Sequence, residues 1–231
     1  MKREIRNRVL LILGIVTAVM IVAGGVYYWK YRKNPEIVQI SVDMMRSMSP
    51  DWDKPGKYWE TFQYHTPNLH EGKNEVKAVV LHHTASRGTG EIVARELCRP
   101  GRGASCHVVI DTDGTRFVLA DPEEIPFHAG YSKLGDRFRV NTFSIGIEFH
   151  GNTLERPLTE EQIESAIEYL RPIIKKYNIK AKNIVTHQMV REAYMKAIPG
   201  NKKAYPKVDI TPVEYKRVLN ALDTAGLIRK K

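Results

Sequence analysis

Three short runs constrain this chain most: Ala78–His82 (AVVLH), Phe143–Phe149 (FSIGIEF) and Ile184–Thr186 (IVT). Each is apolar along nearly its whole length and rich in β-branched residues, so each reads as a buried strand. Two further stretches, Cys106–Asp111 and Arg116–Ala120, flank Thr112–Asp113–Gly114, a hairpin signal in which the glycine supplies positive φ. Helical patterns alternate with these strands. Leu158–Tyr177 opens on a Thr159/Gln162 capping-box pattern and repeats apolar residues at Ile163, Ala166, Ile167 and Leu170. Pro172 is expected to kink or divide that helix, because it removes an amide donor and crowds the preceding turn. Thr211–Pro212–Val213–Glu214 begins a last helix with cap, first-turn proline and capping-box acid in order, and Gly226 suits its end. Strands mixed with helices of this length predict an α/β or α+β sheet domain, of which α/β, a mixed central β-sheet flanked by helices, is the expectation.

The N-terminal segment has a different character. Val9–Trp29 carries no charge over twenty-one residues, enough for a helix to span a hydrocarbon core of ~30 Å. Tyr27, Tyr28 and Trp29 close it, where amphipathic rings favour the headgroup region. The run exceeds the apolar core of a cleaved leader and lacks a small-residue cleavage site, so a retained transmembrane helix is expected ahead of the main domain. Four basic residues on the short preceding tail favour a cytoplasmic N-terminus and an exported C-terminal bulk. This divides the chain into residues 1–33 (tail and anchor), 34–74 (a proline-containing juxtamembrane linker with a helix expected around Ile37–Met48) and a domain over 75–231. The division also disposes of a nucleic-acid reading. Of the net charge of +10, residues 1–33 hold +6, from seven basic residues and one acid, and the remaining 29 basic and 25 acidic residues leave +4. No nucleic-acid partner is expected.

Eight histidines offer chemistry, and His82, His83 and His187 stand at strand ends, where side chains converge on a shared cleft. Glu148 interrupts an otherwise apolar strand, a costly place for a charge without a partner. Asp209 precedes the last helix, two residues after Lys207. Two imidazoles and a carboxylate suit an open zinc site that leaves a position for water. Taken singly, such residues are more often core, cap or turn residues, and no short HExxH-type motif overrides that. Cys98 and Cys106 could form a disulfide or remain free thiols; spacing does not decide.

A resemblance adds to this reading. VVLHHTAS, SCHVVIDTDGTRFVLADPEEIPFHAGYS, NTFSIGIEFHG, IVTHQ and KVD, in that order over about residues 75–220, resemble the zinc-dependent N-acetylmuramoyl-L-alanine amidases, the family that includes phage amidase-type lysozymes and peptidoglycan recognition proteins. The resemblance implies one zinc per chain on His82, His187 and Asp209, with His83 a neighbour rather than a ligand. It implies Glu148 as general base and Lys207 as oxyanion stabiliser. Some phage members use a tyrosine where this chain has Cys106. The stretch from His187 to Asp209 is longer than the family's usual loop, with Glu192 the nearest alternative carboxylate. His107 and His128 belong to family motifs either as groove lining or as hydrogen-bonding residues at strand edges. The implied activity is hydrolysis of the amide joining the lactyl group of N-acetylmuramic acid to L-alanine of the stem peptide. Peptidoglycan or muropeptide would be the substrate, the membrane a partner through the N-terminal helix, and the periplasm or cell envelope the location. The rivals are a non-catalytic peptidoglycan-binding module of the same fold, a protein-interaction role and a peptidase acting within the stem peptide.

Overall fold

A computed structural model describes residues 59–201, Ala204, Pro206 and residues 209–229. Val9–Trp29, the helix expected around Ile37–Met48 and Lys207 lie outside the described residues. Among the described residues, no helix is long and apolar enough to cross a membrane.

Hydrogen bonds join six strands in the order β1 (Thr61–Gln63), β5 (Arg116–Val118), β4 (Val108–Ile110), β9 (Ser144–Phe149), β3 (Ala78–His83) and β10 (Ile184–Thr186). Strands β4, β9, β3 and β10 are parallel, β5 runs against β4, and β1 follows β5. Two small ribbons, β2 (Leu69–His70) with β6 (Ile125–Pro126) and β7 (Lys133–Leu134) with β8 (Arg137–Phe138), lie outside this sheet. The mixed α/β architecture is the one the alternating signals predict.

Parallel strands of one sheet require crossovers, here each over one intervening strand, and helices supply them. Helix α1 (Gly90–Leu97) links β3 to β4, and α2 (Glu160–Tyr177) links β9 to β10. Both components of the expected capping box form at Thr159 and Gln162. Pro172 does not divide α2, which runs through it. Leu170, Ile173 and Ile174 are buried on either side, so core packing holds the helix across the lost backbone bond. Helix α3 (His187–Ala197) follows β10 directly, and α4 (Pro212–Thr224) closes the domain. Thr211 caps α4, but the Glu214 carboxylate does not complete a capping box. It accepts from the Leu158 amide at 2.9 Å and so ties α4 to the start of α2.

The central strands are covered on both faces. Val79 and Leu81 of β3, with Ile145, Ile147 and Phe149 of β9, pack against Ile163, Ala166 and Leu170 of α2 and Val218 and Leu222 of α4. The alternate residues Ala78 and Val80 face Ala129, Val140, Phe143, Val185 and Val190 of α3. Every residue of β3 is buried, which explains why that stretch is apolar without alternation. Fully burying one such aliphatic side chain stabilises by about 1.5–3 kcal/mol, so each polar residue in these strands works against a strong local preference.

The boundary expected at residue 75 moves, since the compact unit begins at Tyr58. Residues 59–74, assigned above to the linker, contribute edge strand β1 and the buried ring of Trp59. Gly114 makes room for that ring: its φ is +88°, and a Cβ there would lie 2.0 Å from the indole. Three exposed residues paired at a sheet edge carry no periodicity, so composition alone reads them as linker.

Candidate metal centre

Strand register builds the site. In the β3–β9 ladder His82 stands opposite Glu148, both at the carboxyl ends of parallel strands, the rim where open α/β sheets place their sites. Alternation sends His82 to the α3 face with Ala78 and Val80, while His83 turns away. His187 is the first residue of α3, capped by Thr186, whose hydroxyl accepts from the Met189 amide at 3.2 Å. Asp209 arrives from the segment before α4. The structure thus brings together the three residues that the resemblance marks as ligands, and one donor atom from each lies within 4.8 Å of the others.

The electrostatics fit a cation. Nδ1 of His82 and Nδ1 of His187 are 3.1 Å apart, and each lies 3.5 Å from Oδ2 of Asp209. Asp209 is aimed by its other oxygen: Oδ1 accepts from the His83 amide at 2.6 Å and from its neighbour Ile210 at 3.0 Å. Among the described residues, the buried Oδ2 makes no close hydrogen bond, and its polar neighbours are the two imidazole nitrogens at 3.5 Å. A buried carboxylate oxygen with no close donor costs free energy, and a metal ion between the three groups would satisfy it. Burial by itself would raise the Asp209 pKa, but His187 and His82 outweigh it and hold the carboxyl below its ordinary value. Burial lowers His187 to about 4, assisted by the nearby His82 and opposed by Asp209. The site therefore offers an ionised carboxylate and a neutral imidazole at neutral pH, the forms a metal requires.

Glu148 differs from this trio in being 18% exposed, with Oε1 3.9 Å from Nδ1 of His82. A carboxylate beside the donor cluster, yet open to incoming molecules, is placed for proton transfer. Cys106 is fully buried, and burial first, then the Glu148 charge, pushes its thiol well above the usual value. It stays protonated and does not serve as a base. Cys98 and Cys106 are both free thiols.

The remaining candidates separate cleanly. His83 packs its ring against Thr153, with Nδ1 2.9 Å from the hydroxyl and 3.1 Å from the amide nitrogen, and meets Asp209 through its backbone amide. Glu192 is exposed on α3, accepts from Gln188 at 2.7 Å, and is not among the clustered donors. His107 is a strand-edge residue: Nδ1 accepts from the Gly146 amide at 2.9 Å. His128 stands directly behind His82, with Nδ1 3.3 Å from Nε2 of that ring. Ser144, Gly146 and Asn141 carried no signal in the sequence, since each touches His128 rather than the donor cluster. Helix α3 explains the long His187–Asp209 spacing, because eleven of those residues are helical.

The N-acetylmuramoyl-L-alanine amidase family model matches residues 72–203. This chain belongs to that family. The matched stretch of the amidase domain takes in His82, Glu148 and His187 and stops before Asp209, whose place at the site rests on the geometry above. The chain is 26% identical to N-acetylmuramoyl-L-alanine amidase AmiD of Escherichia coli (strain K12), over 48% of this chain and 45% of that protein. It is 34% identical to the 1,6-anhydro-N-acetylmuramyl-L-alanine amidase AmpD of Enterobacter cloacae, over 40% of this chain and 48% of that one. The chain spans about half the length of the curated relatives it matches. Among solved structures, AmpD aligns with a TM-score of 0.50 at 19% identity, covering 71% of this chain and 96% of that one. A mutant of PlyL aligns at 0.53 and 15% identity, covering 73% and 99%. These two likenesses speak for the fold.

Proposed function

We propose that this amidase-family chain is a zinc-dependent hydrolase that cleaves the amide between the lactyl group of N-acetylmuramic acid and L-alanine of the stem peptide. The observation that carries it is the buried Oδ2 of Asp209, without a close hydrogen-bond donor among the described residues, facing Nδ1 of His82 and of His187 while Glu148 stands open beside them. His82, His187 and Asp209 would hold one zinc per chain. When bound, zinc supplies a Lewis acid that polarises the scissile carbonyl and acidifies a water molecule. Glu148 accepts the proton of the attacking water at its carboxylate and returns it to the departing amine. Lys207, two residues before Asp209 in the chain, carries the positive charge assigned to the developing oxyanion. The relatives named above are amidases of muramyl-L-alanine bonds, which supports the same substrate class here.

Metal content together with product analysis on a defined muropeptide tests this reading. One zinc per chain with free lactyl sugar and an intact stem peptide is the expected result. A shortened peptide would make the protein a peptidase, and a zinc-free protein that binds the polymer without cleaving it would make it a recognition module. The same proposal tethers the domain in the periplasm or cell envelope by Val9–Trp29, with the N-terminus in the cytoplasm. Mass measurement of the membrane-extracted protein checks the tether, and a mature N-terminus near residue 25 would overturn it.

A further inference from the structure

His82 can hold a metal through Nδ1 only if that nitrogen carries a lone pair and its proton sits on Nε2. A ligand histidine usually settles this by donating its other N–H to a carboxylate, a backbone carbonyl or water. Behind His82 the described residues provide a second imidazole instead. Nε2 of His82 lies 3.3 Å from Nδ1 of His128, and Nε2 of His128 lies 3.2 Å from Oγ of Ser144. The Ser144 hydroxyl donates to the Val140 carbonyl at 2.6 Å.

We propose that His128 and Ser144 are positioning residues that set the tautomer of His82 through a one-directional chain of hydrogen bonds starting at the Val140 carbonyl. A hydroxyl has one proton. With that proton committed to Val140 at the shorter of its two contacts, Oγ can only accept from His128, so Nε2 of His128 carries a hydrogen. Nδ1 of His128 is then an acceptor, and Nε2 of His82 must be the donor that meets it. Nδ1 of His82 is left with its lone pair directed at His187 and Asp209. The opposite assignment sets the lone pair of His128 Nε2 against that of Ser144 Oγ in a site closed to water, where nothing compensates.

The surroundings are built for this chain. Gly146 leaves the space that the His128 ring occupies, since a Cβ there would lie 2.5 Å from its Cγ. Asn141 fixes the backbone of that loop, its Oδ1 accepting from the Ala129 amide at 2.7 Å and the His128 amide at 3.2 Å. Ser144 is fully buried in a strand where an apolar residue would otherwise stabilise. The inference rests on His82 being a zinc ligand, and its consequence is a metal site whose affinity depends on a hydroxyl two residues removed from the ion.

The test uses the full-length protein with Ser144→Ala, which deletes one oxygen, and His128→Leu, which removes the acceptor. Chelator competition measures zinc affinity, circular dichroism of the metal-free forms checks folding, and ¹⁵N-imidazole spectra report the His82 tautomer. Loss of such supporting partners weakens metal binding by about 10–100-fold. Ser144→Ala is expected near the lower end, about tenfold, with the metal-free His82 ring shifting from Nε2-protonated to a mixture of tautomers. His128→Gln, whose amide can both accept and donate, is expected to recover part of the affinity lost in His128→Leu. If His128→Leu does not fold, Ser144→Ala decides alone. A folded Ser144→Ala protein with wild-type zinc affinity and an unchanged His82 spectrum would overturn the proposal while leaving the metal centre intact. Failure of the wild-type protein to bind zinc would instead overturn the metal centre, and the proposal with it.

Discussion

Beside the metal centre Gly146 leaves no room for a side chain against the His128 ring, and Gly146→Ala turns that packing into a measurement. Gly146 is not among the positive-φ glycines, so its backbone accepts alanine and the effect must come from the added methyl. That methyl would lie 2.5, 2.7 and 2.9 Å from Cγ, Nδ1 and Cδ2 of His128. Carbon atoms pack best at about 3.5–4.0 Å, so the ring has to retreat by about 1 Å. Retreat on that scale breaks the 3.3 Å contact to His82. Overpacking of this kind costs about 1–3 kcal/mol, and for a domain of this size each kcal/mol lowers Tm by about 2–4 °C. Thermal unfolding of the metal-free protein should therefore show a fall of about 2–12 °C, accompanied by weaker zinc binding. A double-mutant cycle isolates the contact. His128→Ala costs stability in the wild-type background by leaving a cavity, but in the Gly146→Ala background it also relieves the clash. The double variant should be more stable than the sum of the single losses by more than about 1 kcal/mol. Additive losses, or a Gly146→Ala protein with unchanged Tm and zinc affinity, would refute the reasoning.

Glu148→Gln should keep the fold and the zinc while lowering turnover by at least about two orders of magnitude, the loss associated with a missing general base. A folded, zinc-loaded variant with near-normal turnover would remove Glu148 from the mechanism. Asp209→Ala should abolish stoichiometric zinc binding, whereas Glu192→Ala should leave it intact because Glu192 lies outside the donor cluster; the reverse ranking in metal analysis would move the third ligand. The metal-free protein should lose stability as pH falls below 6.5. Burial holds folded His107 neutral down to about 3, against a smaller opposing hydrogen bond to the Glu124 backbone, while the unfolded chain protonates at its ordinary 6.5. Between those values the unfolded state binds the extra proton, so stability drops by about 1.4 kcal/mol per pH unit from His107 alone. A Tm that stays level from pH 6.5 to 4 in the presence of chelator would contradict it.

Helices α1 and α3 show where sequence reading stops. Neither announces itself, because α1 has only eight residues and α3 buries just His187, Val190 and Arg191, too few for a visible apolar stripe. Helix α2 was legible from its cap and its repeated apolar face, and α4 from its cap and first-turn proline, because those signals are local. Glu148 was conspicuous as a charge in an apolar strand, and His82 and His187 as imidazoles closing two others.

What the sequence determined by itself was local chemistry: which runs must be buried, where two helices start, and which residue types could bind a metal or move a proton. The tertiary structure decided which of those residues meet. Parallel register set Glu148 beside His82, and the turn into α3 brought His187 to the same rim. The His83 and Ile210 amides aimed Asp209 into the gap from 126 residues away along the chain in the first case and from its own neighbour in the second. The packing of His128 over Gly146 was beyond reach of the sequence for the same reason. A pairwise contact depends on the distance between two atoms in space, and a sequence states only their separation along the chain.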